Sequence, residues 1–162
     1  MQNPTVAHGQ FTVEREYPVS PSRVFQAHAN ADEKIHWFAV PDHEFIESIE
    51  SFSLDFRVGG MERLVANLAR GGQMVLETRY WDIVDNERIV ATYDVVIRGQ
   101  RLSVSLWSVQ LFEIETGTRL VTIEDGAFLD DLDAAEPRMK GVTYDYDNLR
   151  TYLAREAVGS TV

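Results

Sequence analysis

The chain of 162 residues contains no cysteine, which excludes disulfides and thiolate metal sites. That lack, with no basic and apolar leader in the opening MQNPTVAHGQ, sets the expectation of a cytoplasmic protein. No apolar run approaches the roughly 20 residues that a membrane helix needs, so membrane insertion is not expected. Positive charge is in short supply: 15 Lys and Arg stand against 26 Asp and Glu, a formal net charge of −11. Such a surface repels phosphate backbones and anionic lipid, so nucleic acid is not an expected partner. What is present is globular: 44% of the residues are hydrophobic, enough at this length for one domain with its own core.

The clearest pattern lies near the end. From Arg138 to Ala154, Val142, Asp145, Tyr146, Leu149, Tyr152 and Leu153 recur at three- and four-residue spacing. That period predicts one long helix, from about Pro137 to Arg155, with an apolar side that needs cover. Earlier, Phe11–Val19 alternates and predicts a first strand. Ser20-Pro21 opens a short helix to about Ala29, and Asp32–Phe38 predicts a second. From there the period is two. Turn signals at Gly59-Gly60, Gly71-Gly72, Asp85-Asn86, Gly99-Gln100 and Thr116-Gly117 divide six segments. These are Phe45–Val58, Met61–Leu68, Met74–Val84, Arg88–Ile97, Leu102–Ile114 and Arg119–Phe128, a meander of hairpins. The expected architecture is α+β: a curved seven-stranded antiparallel sheet around a long C-terminal helix. Residues 11–156 form one domain, with flexible tails at 1–10 and 157–162. One helix does not fill so curved a sheet, so either the short helices plug the opening or a cavity remains.

Motifs of chemistry are scarce. No G-x-S-x-G surrounds Ser103, Ser105 or Ser108. The histidines His8, His28, His36 and His43 lack ligand spacing, and the acidic loop of Asp130, Asp131, Asp133 and Glu136 lacks the glycine and spacing of a calcium loop. The paired glycines are hairpin turns without the lysine and helix of a phosphate cradle. Neither a metal nor a cofactor is expected.

Three features rise above that background. Trp37, Phe38, Trp81, Tyr93, Trp107, Phe128 and Tyr146 supply large aromatic surfaces for a core or a pocket wall. Arg57, Glu62, Glu77, Arg79 and Glu124 fall inside strands, and their expected place is the convex face, as surface ion pairs. Gly141 and Asp145 interrupt the logic of the last helix: glycine costs about 1 kcal/mol there, and a carboxylate sits on the sheet-facing side. Asp145 either reaches water at the edge of that face or is a pocket carboxylate, paired with an arginine such as Arg57 or Arg79 or else unpaired and shifted toward its neutral form. Of the two pocket states the ionised pair is the expected one, because an unpaired buried charge is costly.

The order of these elements, with Val19-Ser20-Pro21-Ser22-Arg23-Val24-Phe25, Trp37-Phe38, Asp55–Glu62, Tyr80–Val84, Glu87–Val90, Ser103–Leu106, Gly117–Leu120, Glu124–Asp130 and Gly141, Leu149 and Leu153, resembles the START-like, or SRPBCC, superfamily. Within it the chain is similar to bacterial single-domain proteins grouped with the activator of the heat-shock-protein-90 ATPase. The resemblance covers residues 11–154. It implies a helix-grip fold around an apolar cavity, and it spans carriers, cyclases and chaperone activators. Relatives often have glycine where Asp145 stands and leucine where Tyr146 stands. The favoured expectation is binding of a small, mostly apolar ligand between sheet and helix. The site candidates are Trp37, Phe38, Arg57, Tyr93, Trp107, Glu124, Phe128, Asp145, Tyr146 and Leu149. Two rivals stand beside it: a cyclase- or dehydratase-type enzyme using pocket Tyr and Asp groups, and a module that modulates a chaperone ATPase. A homodimer is an open expectation.

Overall fold

The computed structural model describes residues 3–159. Strand β1 (Val6–Tyr17) is followed by helices α1 (Pro21–Ala29) and α2 (Ala31–Lys34). Six strands come next: β2 (Ile46–Leu54), β3 (Met61–Leu68), β4 (Gln73–Val84), β5 (Arg88–Ile97), β6 (Gln100–Ile114) and β7 (Gly117–Leu129). Helix α3 (Ala135–Gly159) ends the described chain. Among the described residues the strands form one antiparallel sheet in the order β1-β7-β6-β5-β4-β3-β2. This is the helix-grip arrangement expected from the alternation and the long helical period.

Local chemistry sets the element ends. Ser20 Oγ accepts the Arg23 N–H and Pro21 takes the first turn, so α1 starts there. Asn30 closes α1 and caps α2, its side chain accepting the Asp32 N–H at 2.9 Å. At the β6–β7 turn Gly117 has φ 141°, and a Cβ there would lie 2.1 Å from the Tyr17 carbonyl oxygen, so only glycine fits. Register shifts in β2–β3, β4–β5 and β5–β6 add the local bends that curl a sheet around a helix.

Three expectations are corrected. Residues 6–10 are no loose tail; they extend β1 and pair with Asp125–Leu129, covering backbone groups that would otherwise form an open edge. The second helix does not reach Phe38. It ends at Lys34 in turns, and Ala39 takes a positive φ of 54°. The break turns the Ala39 N–H toward α3. The last helix starts two residues before Pro137 and continues to Gly159, through part of the expected C-terminal tail. Residues 1–2 and 160–162 lie outside the described residues.

The interior is divided. One apolar cluster joins Tyr17, Val24, Trp37, Tyr80, Val109, Leu120, Leu149 and Leu153 beneath α1 and α3. The other joins Ala39, Ile46, Leu64, Ala66, Leu68, Met74 and Val95 beside β2–β5. Between them runs a polar row. Glu62, Thr78, Tyr93 and Ser105 are direct cross-strand neighbours on β3, β4, β5 and β6. Glu62, Thr78 and Ser105 are buried and Tyr93 is half-buried. This row decides what kind of cavity the fold encloses.

Candidate functional site

A cavity of about 730 Å³ lies between the concave sheet and the first half of α3. Its apolar wall includes Trp37, Phe38, Met74, Leu76, Val95, Ile97, Leu102, Trp107 and Val142. Phe45, Leu132 and Tyr144 stand at its exposed side, with exposures of 50%, 40% and 40%. The size is that of sites for drug-sized molecules. Asp42 shapes part of the rim: its carboxylate accepts the N–H groups of Glu44, Phe45 and Ile46, and those bonds, Phe45 first, lower its pKa.

Two polar groups of side chains interrupt the apolar wall. In the first, Lys34 Nζ lies 2.7 Å from Glu62 Oε1, and the Tyr80 hydroxyl donates to the same oxygen at 2.8 Å. Lys34 and Glu62 are 3% and 2% exposed, so this ion pair is fully interior. The ammonium also lies 4.8 Å from the Phe38 ring centre and 5.6 Å from that of Trp107, where ring faces favour a cation. Removing water from Tyr80, next to the Glu62 charge, pushes its hydroxyl pKa well up, so it acts as a donor.

The second group centres on Arg138, in the first turns of α3. One guanidinium nitrogen donates to the Tyr93 hydroxyl at 3.0 Å and to Glu124 at 3.2 Å; the other donates to Ser103 at 2.6 Å and to Asp133 at 2.7 Å. Glu124 also accepts from Tyr93 at 2.7 Å and from Ser105 at 2.8 Å. The rings of Tyr93 and Phe128 lie 5.6 and 5.5 Å from the guanidinium carbon. Burial pulls the Arg138 pKa down, but Tyr93, Glu124 and Asp133 outweigh it and hold it above the ordinary value. Burial, then the Glu124 charge, raises the Tyr93 hydroxyl.

Asp145 differs from both. It is half-buried and lines the cavity. Its Oδ1 accepts the Ala39 N–H at 3.0 Å, and no ion pair is formed among the described residues. Burial pushes its pKa up to about 7, against the Ala39 N–H and the Lys34 charge, which pull it down. The expected arginine pairing is therefore wrong. Arg57 is paired instead with Asp55 at 2.9 Å on the outer surface, and Arg79 lies over the exposed Trp81 ring. Arg57 lies in the turn between β2 and β3, not inside a strand as expected, and Arg79 is on β4.

Of the sequence candidates, Trp37, Phe38, Tyr93, Trp107, Glu124, Asp145 and Tyr146 line the cavity. Arg57 does not, and Phe128 and Leu149 are packed behind the wall, at 2% and 0% exposure. Tyr146 anchors the neighbouring core: its carbonyl accepts from Tyr17 at 2.8 Å, and its hydroxyl lies 3.3 Å from His28 Nε2. His28 Nδ1 contacts the Val24 carbonyl at 2.9 Å, and burial lowers the imidazole pKa to about 3, so the ring is neutral. Expectation placed Glu62 and Glu124 on the convex face, and the structure turns both inward. Lys34 and Arg138 are functional candidates that the sequence did not single out. Each belongs to a helix where a solvated lysine or arginine is commonplace, and only the facing sheet row reveals their partners. Among the described residues, no group of three or more His, Cys, Asp or Glu is placed to hold a metal ion.

The sheet, the gripping helix and the enclosed cavity define a START-like, SRPBCC-type single domain. The family described as activator of Hsp90 ATPase homolog 1-like protein matches residues 18–154, and the chain belongs to it. A protein of Rhizobium loti of known structure is 38% identical, over 91% of this chain and 99% of that one, with a TM-score of 0.83. An uncharacterized protein of Rhizobium leguminosarum is 31% identical over 95% and 99%, with a TM-score of 0.89. An AHSA1 protein of Silicibacter pomeroyi shares the fold at 20% identity, over 91% and 99%, with a TM-score of 0.71. Among curated proteins, nothing matches the chain. The fold is one that holds ligands, and no helix of the described residues is long and apolar enough to cross a membrane.

Proposed function

We propose that this protein binds a small, mostly apolar molecule in the cavity between the sheet and the first half of α3, as a cytoplasmic domain. The cavity itself carries the reading. An apolar wall that remains uncovered loses about 25 cal/mol for each Å² it fails to remove from water. A ligand of suitable shape recovers that. Gly141 supports the same reading. It lines the cavity, and a Cβ built on it meets no atom within 4 Å. Glycine lowers helix stability there by about 1 kcal/mol relative to alanine, and what the chain gains is room.

A second reading has an observation of its own. Asp145 is a carboxyl group that holds its proton near neutral pH and faces a cavity, which suits a general acid acting on a bound carbonyl compound. The family name invites a chaperone partner. The cavity supports ligand binding over that role, since a docking module has no need to leave its core open.

The test uses native mass spectrometry of freshly purified protein and thermal melts with naphthalene-sized aromatic probes. A retained small molecule, or a rise in melting temperature with probe, is expected, because a ligand that prefers the native state stabilises it. Gly141→Phe fills the cavity without straining the helix and abolishes the rise. If Gly141→Phe melts at least as high as wild type and the probe still stabilises it fully, the ligand site is elsewhere.

A further inference from the structure

Resting on that reading, we infer that the ligand carries a neutral oxygen acceptor, of the ketone or aldehyde type, held by Lys34, Thr78 and Asp145. The three are linked through shared neighbours. Glu62, which binds Lys34 at 2.7 Å, is the direct cross-strand neighbour of Thr78. Asp145 binds the backbone N–H of Ala39, five residues beyond Lys34 on the same short connection. All three line the cavity.

Each has hydrogen-bonding capacity left over. Lys34 has three protons and two acceptors, Glu62 and, at 3.5 Å, the Tyr80 oxygen. Thr78 is 6% exposed, and its hydroxyl makes no hydrogen bond among the described residues. Asp145, which lines the cavity, accepts one N–H through Oδ1, and its second oxygen makes no hydrogen bond among the described residues. As a neutral acid that oxygen is a donor. An unpaired polar group in an apolar wall costs about 1–3 kcal/mol, and one acceptor oxygen on the ligand answers all three.

Charge decides what kind of acceptor. The lining carries Lys34 and Arg138 against Asp42, Glu62, Glu124 and Asp133. Lys34 already touches Glu62, and Arg138 is shared by Glu124 and Asp133. A carboxylate or phosphate would enter beside four like charges and find no cation unshared. A ligand cation would meet Lys34 first. A neutral carbonyl oxygen takes the spare protons without displacing a carboxylate.

Three isosteric probes separate these cases: 2-acetylnaphthalene, 2-naphthoate and 2-isopropylnaphthalene, titrated at pH 6.5 by fluorescence. The ketone is expected to bind at least 10-fold tighter than the carboxylate. Thr78→Val and Asp145→Leu are each expected to weaken the ketone 5- to 10-fold and to leave the hydrocarbon unchanged or tighter. Thr78→Val keeps the shape of the side chain, so it answers the question even if Asp145→Leu does not fold. The charged and titratable groups that line the cavity on this side with Asp145 are Lys34 on α2, Glu62 on β3, Asp42 in the rim loop and Tyr146 on α3. Asp145, raised to about 7, changes charge between pH 6 and 8, so ketone affinity falls across that window in wild type and not in Asp145→Asn. Tightest binding of the naphthoate, or equal losses of ketone and hydrocarbon in both variants, would overturn the acceptor site while leaving the cavity reading in place. Binding of none of the three probes to the folded wild type would overturn both.

Discussion

The two polar groups in the cavity wall are built from similar residues and reach opposite ends. Around Arg138, four acceptors take four of the five N–H bonds, and Glu124, the buried carboxylate, has three donors. Around Lys34 and Asp145, donors outnumber partners and one carboxyl stands without a cation. A group whose carboxylates all have their cation has little to offer a ligand. It is a fastener, tying the first turns of α3 to β5, β6 and β7. An unsaturated group costs stability in the empty protein and repays it only when something binds. Burial alone therefore does not mark a site; unused hydrogen-bonding capacity facing a cavity does.

That contrast is broken most severely by Arg138→Met. It leaves Glu124 buried with its positive partner gone, so a loss of about 3 kcal/mol is expected, measured by urea unfolding. A loss below 1 kcal/mol would show that Tyr93 and Ser105 suffice for Glu124 and that Arg138 is no fastener.

Asp145→Asn is expected to act in the other direction. The carboxyl titrates near 3.8 when unfolded and at about 7 when folded. Between those values the native state holds the extra proton, so this group's contribution to stability is full below pH 3.8 and is lost as pH rises through 7. Asparagine keeps the Ala39 hydrogen bond and has no charge to bury. The variant should gain about 2 kcal/mol at pH 8 and nothing at pH 4. His28 runs the opposite way. Its folded pKa of about 3 lies below the ordinary 6.5, so its contribution is full above 6.5 and lost as pH falls toward 3. The two slopes oppose each other between pH 4 and 6.5, and in Asp145→Asn the histidine slope should no longer be opposed by that carboxyl. Destabilisation of Asp145→Asn at pH 8 would mean that the carboxylate has a cationic partner.

The smallest effect is expected at Arg57. Its ion pair with Asp55 is open to water, with side chains 69% and 54% exposed. Arg57→Ala should leave both the melting midpoint and probe binding unchanged, since exposed pairs contribute little. A loss of probe binding would bring Arg57 back into the site.

Most of the fold was legible in the sequence. The turn pairs at Gly71-Gly72 and Asp85-Asn86 bracket β4 within one residue, because hairpin turns demand particular backbone angles and few residues supply them. The face of α3 was legible as well, through Val142, Tyr146, Leu149 and Leu153. The N-terminal half of β1 was not, because Val6–Gln10, exposed except at Gly9, shows no apolar alternation; its pairing with β7 makes it a strand.

The candidate site was legible in its aromatics and not in its charges. Trp37, Trp107 and Tyr146 stand in the interior as their size suggests, while Trp81, equally large, is 55% exposed. For Glu62 and Glu124 the alternation left two faces open, and the usual cost of burying a carboxylate argued for the wrong one. What tipped the balance is Lys34 and Arg138, two helical residues brought over the sheet from chain positions 28 and 14 residues away. Sequence by itself determined the elements, their order and the side of α3 that turns inward, because these follow from local periods and turn chemistry. The tertiary structure decided which charges are buried, which are paired and that Asp145 has no arginine, because a charge takes its state from neighbours that the chain's order does not place beside it.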